Sequence, residues 1–171
     1  MSAVPQAQVK ALLSAQAYRA IDREIAKYPP DQKQSAVMAA LAIAQTELGW
    51  ISKDVIEDVA RYLDMPAIAV YEVATFYTMY NLEPVGKCKI TICTNLPCAL
   101  SGGTRAAAYL KKRLGINFNE TTPDGAFTLK EGECMGACGD APVLLVNNTR
   151  MESFMSDEKL EALLAEFRAA G

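Results

Sequence analysis

The sequence predicts an α+β protein, with a helical N-terminal half (residues 1–84) followed by a domain on one mixed sheet of four strands covered by helices (residues 85–171). Three observations carry this. Apolar residues recur at helical spacing through the first half. The pattern changes to alternation after Pro84-Val85-Gly86. Turn signals then separate four short runs of strand-like composition.

In order along the chain, a first helix is expected from about Gln6 to Tyr28. Val9, Leu12, Leu13, Ala17, Ile21 and Ile25 are its apolar positions, and Pro29-Pro30 stop it. Asp31 with Gln34 has the form of a capping box for a second helix. That helix places Val37, Leu41, Ala44 and Leu48 on one face and closes at Gly49. Ser52 can cap a third, with Val55, Ile56, Val59, Ala60 and Leu63 as its inner stripe. Pro66 suits the first turn of a fourth, which runs to about Tyr77.

Lys87 to Thr94, KCKITICT, alternates polar and apolar residues and reads as a strand. Gly102-Gly103 precede a helix from about Thr104 to Leu114, which Gly115 ends. Phe127 to Glu133 and Val143 to Val146 read as the next strands. Asn147-Asn148 is a hairpin signal, leading to a fourth strand over Thr149 to Phe154. Ser156 caps a last helix with Leu160, Leu163, Leu164 and Phe167 inside. The order is β-α-β-β-β-α.

Composition narrows the function classes. The 171 residues are 51% hydrophobic and 22% charged, ordinary for a folded domain. A net charge of −3 offers no counterion-release gain with nucleic acid, so no nucleic-acid partner is expected. The longest apolar run, Ala36 to Ala44, is too short for direct membrane insertion. The N-terminal MSAVPQAQVK lacks a basic segment followed by an apolar core, so the expected address is the cytoplasm. No histidine is present, which excludes histidine-ligated metal, Rieske clusters and His-dependent triads within this chain. No G-x-G-x-x-G follows a strand and no P-loop is present, so no nucleotide site is expected here.

The five cysteines carry the chemistry. Four fall as Cys93-x4-Cys98 and Cys134-x3-Cys138, each pair in a Gly/Pro loop at the end of an expected strand. Two such loops can meet at one sheet edge and present four sulfurs. Four thiolates suit zinc or an iron–sulfur cluster. Structural zinc usually uses C-x2-C knuckles round one ion. The wider loops suit a larger, two-metal object, with each pair holding one iron; zinc remains the rival reading. Gly136 and Gly139 let backbone N–H groups approach the sulfurs, and Pro97 fixes the first loop. Glu131, Glu133 and Asp140 flank the second pair, and their charge would lower the potential of a cluster there. Cys88 shares the parity of Ile90 and Ile92 and reads as core.

The stretches YEVATFYTMYNLEPVGK (Tyr71 to Lys87), CTNLPCALSGG (Cys93 to Gly103) and LGINFNETTPDGAFTLKEGECMGACGDAP (Leu114 to Pro142), with DQKQSAVMAALAIAQTELGWIS earlier, resemble the thioredoxin-like [2Fe–2S] ferredoxin family. Within it they are similar to the E-type chains of bacterial NADH:quinone oxidoreductase, respiratory complex I. The resemblance implies a thioredoxin-like second domain and one [2Fe–2S] cluster on Cys93, Cys98, Cys134 and Cys138. It implies an electron-transfer subunit that exchanges one electron with FMN. FMN and NADH would lie on a partner, the F-type subunit. A larger peripheral-arm iron–sulfur subunit is a second implied partner, on the cytoplasmic face of the bacterial inner membrane. Relatives serve NAD-linked hydrogenases and formate dehydrogenases, so the equivalent diaphorase role is the alternative, as is a zinc-stapled interaction subunit.

Other features read more plainly. Tyr71, Phe76, Tyr77 and Tyr80 are expected as core, with a docking surface as the competing reading. Trp50 is expected to pack. Lys53, Asp54, Glu57 and Asp58 read as a solvated helix face. No catalytic residue is expected on this chain, which would be part of an enzyme only through its complex.

Overall fold

A computed structural model describes residues 11–169. They divide into two compact units, one ending at Pro84 and one beginning at Val85.

The first unit is all helical: α1 (Ala15–Ile25), a 3₁₀ segment (Pro30–Ala36), α2 (Val37–Leu48), α3 (Lys53–Leu63) and α4 (Ala67–Phe76). The N-terminal part of the long first helix expected from Gln6 lies outside the described residues. Within them α1 begins at Ala15, because Ser14 caps it by accepting a hydrogen bond from the Ala17 N–H. Asp31 and Gln34 form no capping box: the 3₁₀ segment has no side-chain cap, and Pro30 already removes one of the donors a cap would serve. Gly49 closes α2 at φ +82, where a side chain would be strained. The inner face of α2 is Ala40, Leu41 and Ala44, and Leu48 is exposed. Ser52 caps α3 through the Val55 N–H, and Val55, Ile56, Val59, Ala60 and Leu63 are buried, as their spacing predicts.

Asp58 corrects one expectation. It is 4% exposed and does not belong to the solvated face of Lys53, Asp54 and Glu57. Its carboxylate accepts hydrogen bonds from the Tyr18 hydroxyl and from Arg61, so a buried charge is paired and ties α3 to α1. The aromatic stretch is also corrected. Tyr80 is buried, with its hydroxyl donating to the Met38 carbonyl, but Tyr71, Phe76 and Tyr77 are exposed, Phe76 at 77%. An almost uncharged helix has apolar residues all round, and among the described residues its buried positions are Val70 and Ala74. Trp50 is half-buried.

The second unit contains β1 (Cys88–Cys93), α5 (Leu96–Leu100), α6 (Gly103–Leu114), β2 (Glu120–Thr121), β3 (Phe127–Gly132), β4 (Leu144–Val146), β5 (Arg150–Glu152) and α7 (Asp157–Ala169). The mixed sheet has the order β2-β3-β1-β4-β5, with β1 and β3 parallel and the other pairs antiparallel. It has five strands where the sequence predicts four. The additional β2 is two residues long, too short for any alternation to show, and it pairs with β3 through the turn at Gly125. A second unforeseen element is α5, which winds the first cysteine loop into a short helix behind Asn95.

Alternation on β1 sends Cys88, Ile90 and Ile92 to one face, where they pack with Phe127, Leu129, Leu144 and Val146 beneath Leu110 of α6 and Leu160 and Leu164 of α7. Burial pushes the Cys88 thiol up to about 12, as expected of a core cysteine. Ser156 caps the last helix through the Lys159 N–H. Asn147 and Asn148 both take positive φ in the β4–β5 turn, the conformation that asparagine tolerates best after glycine.

Candidate metal centre

The cysteine loops leave the sheet from the same edge. Cys93 ends β1 and stands in register with Gly132, which ends β3. Because these strands are parallel neighbours, both chains run off the sheet side by side, one into Cys93–Cys98 and the other into Cys134–Cys138.

Three hydrogen bonds stitch the loops together. The Thr94 N–H donates to the Gly132 carbonyl at 3.0 Å. The Thr94 hydroxyl donates to Glu131 Oε1 at 2.7 Å. The Cys93 thiol donates to the Glu133 carbonyl at 3.5 Å, a weak sulfur bond.

The two pairs differ in environment. Cys93 and Cys98 are 2% and 1% exposed and pack with Val143, sheathed by half-buried Met135, Ala137 and Ala141. Cys134 and Cys138 are exposed. Burial raises the Cys98 thiol above its ordinary value, reinforced by a hydrogen bond with Cys93 and by the neighbouring Cys93 and Cys138 sulfurs. Among the described residues no three Cys, Asp or Glu side chains are close enough together to hold a metal ion.

Glycines shape both loops. Gly136 adopts φ +72, which turns its N–H toward Cys134 Sγ at 3.4 Å. Gly139 lies in the Cys138–Asp140 turn and has no such bond described. Gly103 opens α6 against the first loop: a Cβ there would lie 2.8 Å from the carbonyl oxygens of both Cys93 and Cys98. The N-terminal end of α6 thus abuts the backbone of both inner cysteines, where its partial positive charge favours anionic sulfur.

These residues suit a sulfur-ligated, two-metal group. The four donors are soft thiols arranged as an inner and an outer pair on adjacent loops. A backbone N–H and a helix N-terminus offset negative charge, and an apolar sheath covers the inner pair. Both cysteine loops lie at one end of the β1–β3 pair, and Cys88 faces away into the core. Thr94 and Gly103 were not anticipated as parts of this framework, and Glu131 was expected only as a flanking charge. Nothing in the sequence links Thr94 to Glu131 until the pairing of β1 with β3 brings them to the same face of neighbouring strand ends.

The sequence pattern of the thioredoxin-like [2Fe–2S] ferredoxin family matches residues 21–168. The E-type chain of the NADH-quinone oxidoreductase of Rickettsia prowazekii (strain Madrid E) is 45% identical over 144 residues, covering 84% of this chain and 81% of the relative. A second such E-type chain, that of Rhizobium meliloti (strain 1021), is 44% identical over 150 residues, 88% of each chain. Among solved structures, the NAD+-reducing [NiFe]-hydrogenase in the H2-reduced state matches with a TM-score of 0.68 at 20% identity. That match covers 78% of this chain and 22% of the hydrogenase chain, and at such identity it speaks for the fold alone.

Proposed function

Because the chain belongs to the thioredoxin-like [2Fe–2S] ferredoxin family, which implies a [2Fe–2S] cluster, we propose that it is the electron-transfer subunit of an NADH:quinone oxidoreductase. Cys93, Cys98, Cys134 and Cys138 hold the cluster. The observation that carries this reading is the register of Cys93 with Gly132 on parallel neighbours, which sends both cysteine loops off one sheet edge.

The bound cluster supplies one-electron redox chemistry, and the protein supplies the setting. Each thiol must give up its proton to become a ligand. Burial holds the Cys98 thiol above its ordinary value, which favours its neutral form. The Gly136 N–H and the first turn of α6 then stabilise the anionic sulfurs. The apolar sheath of Met135, Ala137 and Ala141 keeps water from the inner pair, and the outer pair stays accessible for exchange with a partner.

In this reading NADH and FMN sit on an F-type partner chain, which exchanges one electron with this one. A larger iron–sulfur subunit completes the peripheral assembly, on the cytoplasmic face of the bacterial inner membrane. Among the described residues no helix is long and apolar enough to cross a membrane, in keeping with attachment through the complex. The units ending at Pro84 and beginning at Val85 are a helical domain and the cluster-bearing domain. The fold likeness to an NAD+-reducing hydrogenase supports a second reading, the equivalent diaphorase role; the higher identity to the quinone oxidoreductase relatives favours the first.

The test is the visible and electron-paramagnetic-resonance spectrum of the full chain after anaerobic reconstitution, with iron and sulfide analysis. Two irons and two sulfides per chain, and colour that bleaches on reduction, are expected. Serine at any one of the four positions should abolish or alter the spectrum, whereas Cys88→Ser should leave it. A colourless protein with one zinc would overturn the reading. Co-purification with a flavin-bearing partner, followed by assay with quinone against other acceptors, separates the two roles.

A further inference from the structure

We propose that Thr94 and Glu131 act as a clasp that positions the two cysteine arms for cluster binding. The proposal rests on the function assigned above and concerns how the binding loops are held. Thr94 immediately follows Cys93, and Glu131 lies three residues before Cys134. Their side chains meet across the parallel β1–β3 pair, the hydroxyl donating to the carboxylate at 2.7 Å.

Register explains why these two residues meet. Ile92 pairs with Glu131 and Cys93 with Gly132, so Thr94 and Glu131 stand on the same face of neighbouring strand ends. The backbone bond from the Thr94 N–H to the Gly132 carbonyl fixes the chains at that point, but it leaves each side chain free to turn. Beyond it the loops separate, one into α5 and the other toward Gly136. The Thr94–Glu131 bond is a side-chain tie at the fork itself. A further cross-loop bond, from the Cys93 thiol to the Glu133 carbonyl, is a long sulfur contact at 3.5 Å. The clasp is the shortest of the described bonds between the arms at the fork. Thr94 is half-buried and Glu131 exposed, so the bond sits at the surface of the fork.

The test uses the full chain with its cluster reconstituted, and it follows cluster loss to an iron chelator by visible absorbance. Thr94→Val removes the donor at nearly constant volume, and Glu131→Ala removes the acceptor. Each should speed cluster loss about two- to tenfold, the range expected for one exposed-to-half-buried hydrogen bond. The double variant should be no faster than the faster single one, because both remove the same interaction. Thr94→Ser and Glu131→Gln each retain the bond and should stay near the wild-type rate. Glu131→Gln also removes the charge, so it separates positioning from electrostatics. Wild-type rates for both Thr94→Val and Glu131→Ala would overturn the clasp. So would additive single effects, or a Glu131→Gln variant as fast as Glu131→Ala. Thermal unfolding of the cluster-free variants distinguishes a general loss of stability, which would also count against a positioning role. If the wild-type chain takes up no iron–sulfur cluster, the functional assignment fails instead; a loaded wild type with unaffected variants fails only the clasp.

Discussion

Gly103→Ala adds one methyl group where two carbonyl oxygens already stand. Gly103 does not need a left-handed backbone, so the argument is one of space. The new Cβ would lie 2.8 Å from the oxygens of both Cys93 and Cys98 and 3.0 Å from the Cys98 carbonyl carbon. All three are backbone atoms, which cannot swing aside as a side chain could. Overpacking of this kind costs about 1–3 kcal/mol. Alanine's better helix propensity returns at most about 1 kcal/mol, and less at the first turn of α6. The net expectation is a destabilisation of about 1–2 kcal/mol, or a fall in melting temperature of roughly 5–10 °C for a domain of this size. The displaced atoms carry Cys93 and Cys98, so cluster retention should fall as well. Thermal unfolding by circular dichroism and chelator-driven bleaching measure the two effects. Gly139→Ala is the control, since its Cβ would meet nothing within 4 Å. A Gly103→Ala protein that melts at the wild-type temperature and keeps its cluster as long would refute the steric argument.

In the helical unit, Asp58→Ala should cost about 2–3 kcal/mol in urea unfolding, because it strips a buried partner from the Tyr18 hydroxyl and from half-exposed Arg61; a loss under about 0.5 kcal/mol would show that the network is not stabilising. Burial pushes Tyr18, Tyr62 and Tyr80 up to about 12, and carboxylates reinforce the first two, Asp58 for Tyr18 and Asp22 for Tyr62. Their folded values lie above the unfolded value of about 10, so their contribution to stability is complete below that pH and is lost as pH rises from about 10 toward 12. Ultraviolet titration of tyrosinate should show at least three of the seven tyrosines ionising late, and Tyr18→Phe should remove one of them. Glu133→Gln removes a negative charge beside the outer cysteines and should raise the cluster's midpoint potential by on the order of 20 mV, the effect of an exposed charge roughly 10 Å away; the shift should shrink in high salt, and no upward movement in redox titration would count against the acidic-flank argument.

Much of this protein follows from local chemistry. Ser52 and Ser156 cap helices because a hydroxyl ahead of an apolar stripe satisfies a free N–H wherever it occurs. Alternation on β1 placed Cys88 in the core, and the asparagine pair marked the last hairpin. These readings succeed because each depends on residues within a few positions of one another. The cysteine spacing, equally local, singled out two loops and their sulfurs.

Tertiary structure decided the rest. Asp58 reads as solvent-facing among charged neighbours, yet its burial depends on Tyr18, forty residues away. The exposure of Phe76 depends on what the helical unit leaves uncovered, which helix periodicity cannot report. The two-residue β2 exists only because β3 offers it an edge. Above all, the sequence set out two separate cysteine pairs, and the parallel pairing of β1 with β3 made their loops neighbours. A parallel ladder brings together residues thirty-nine positions apart along the chain, Cys93 and Gly132. Such a pairing leaves no local trace, because the energy that selects it resides in the shared core and not in either strand alone.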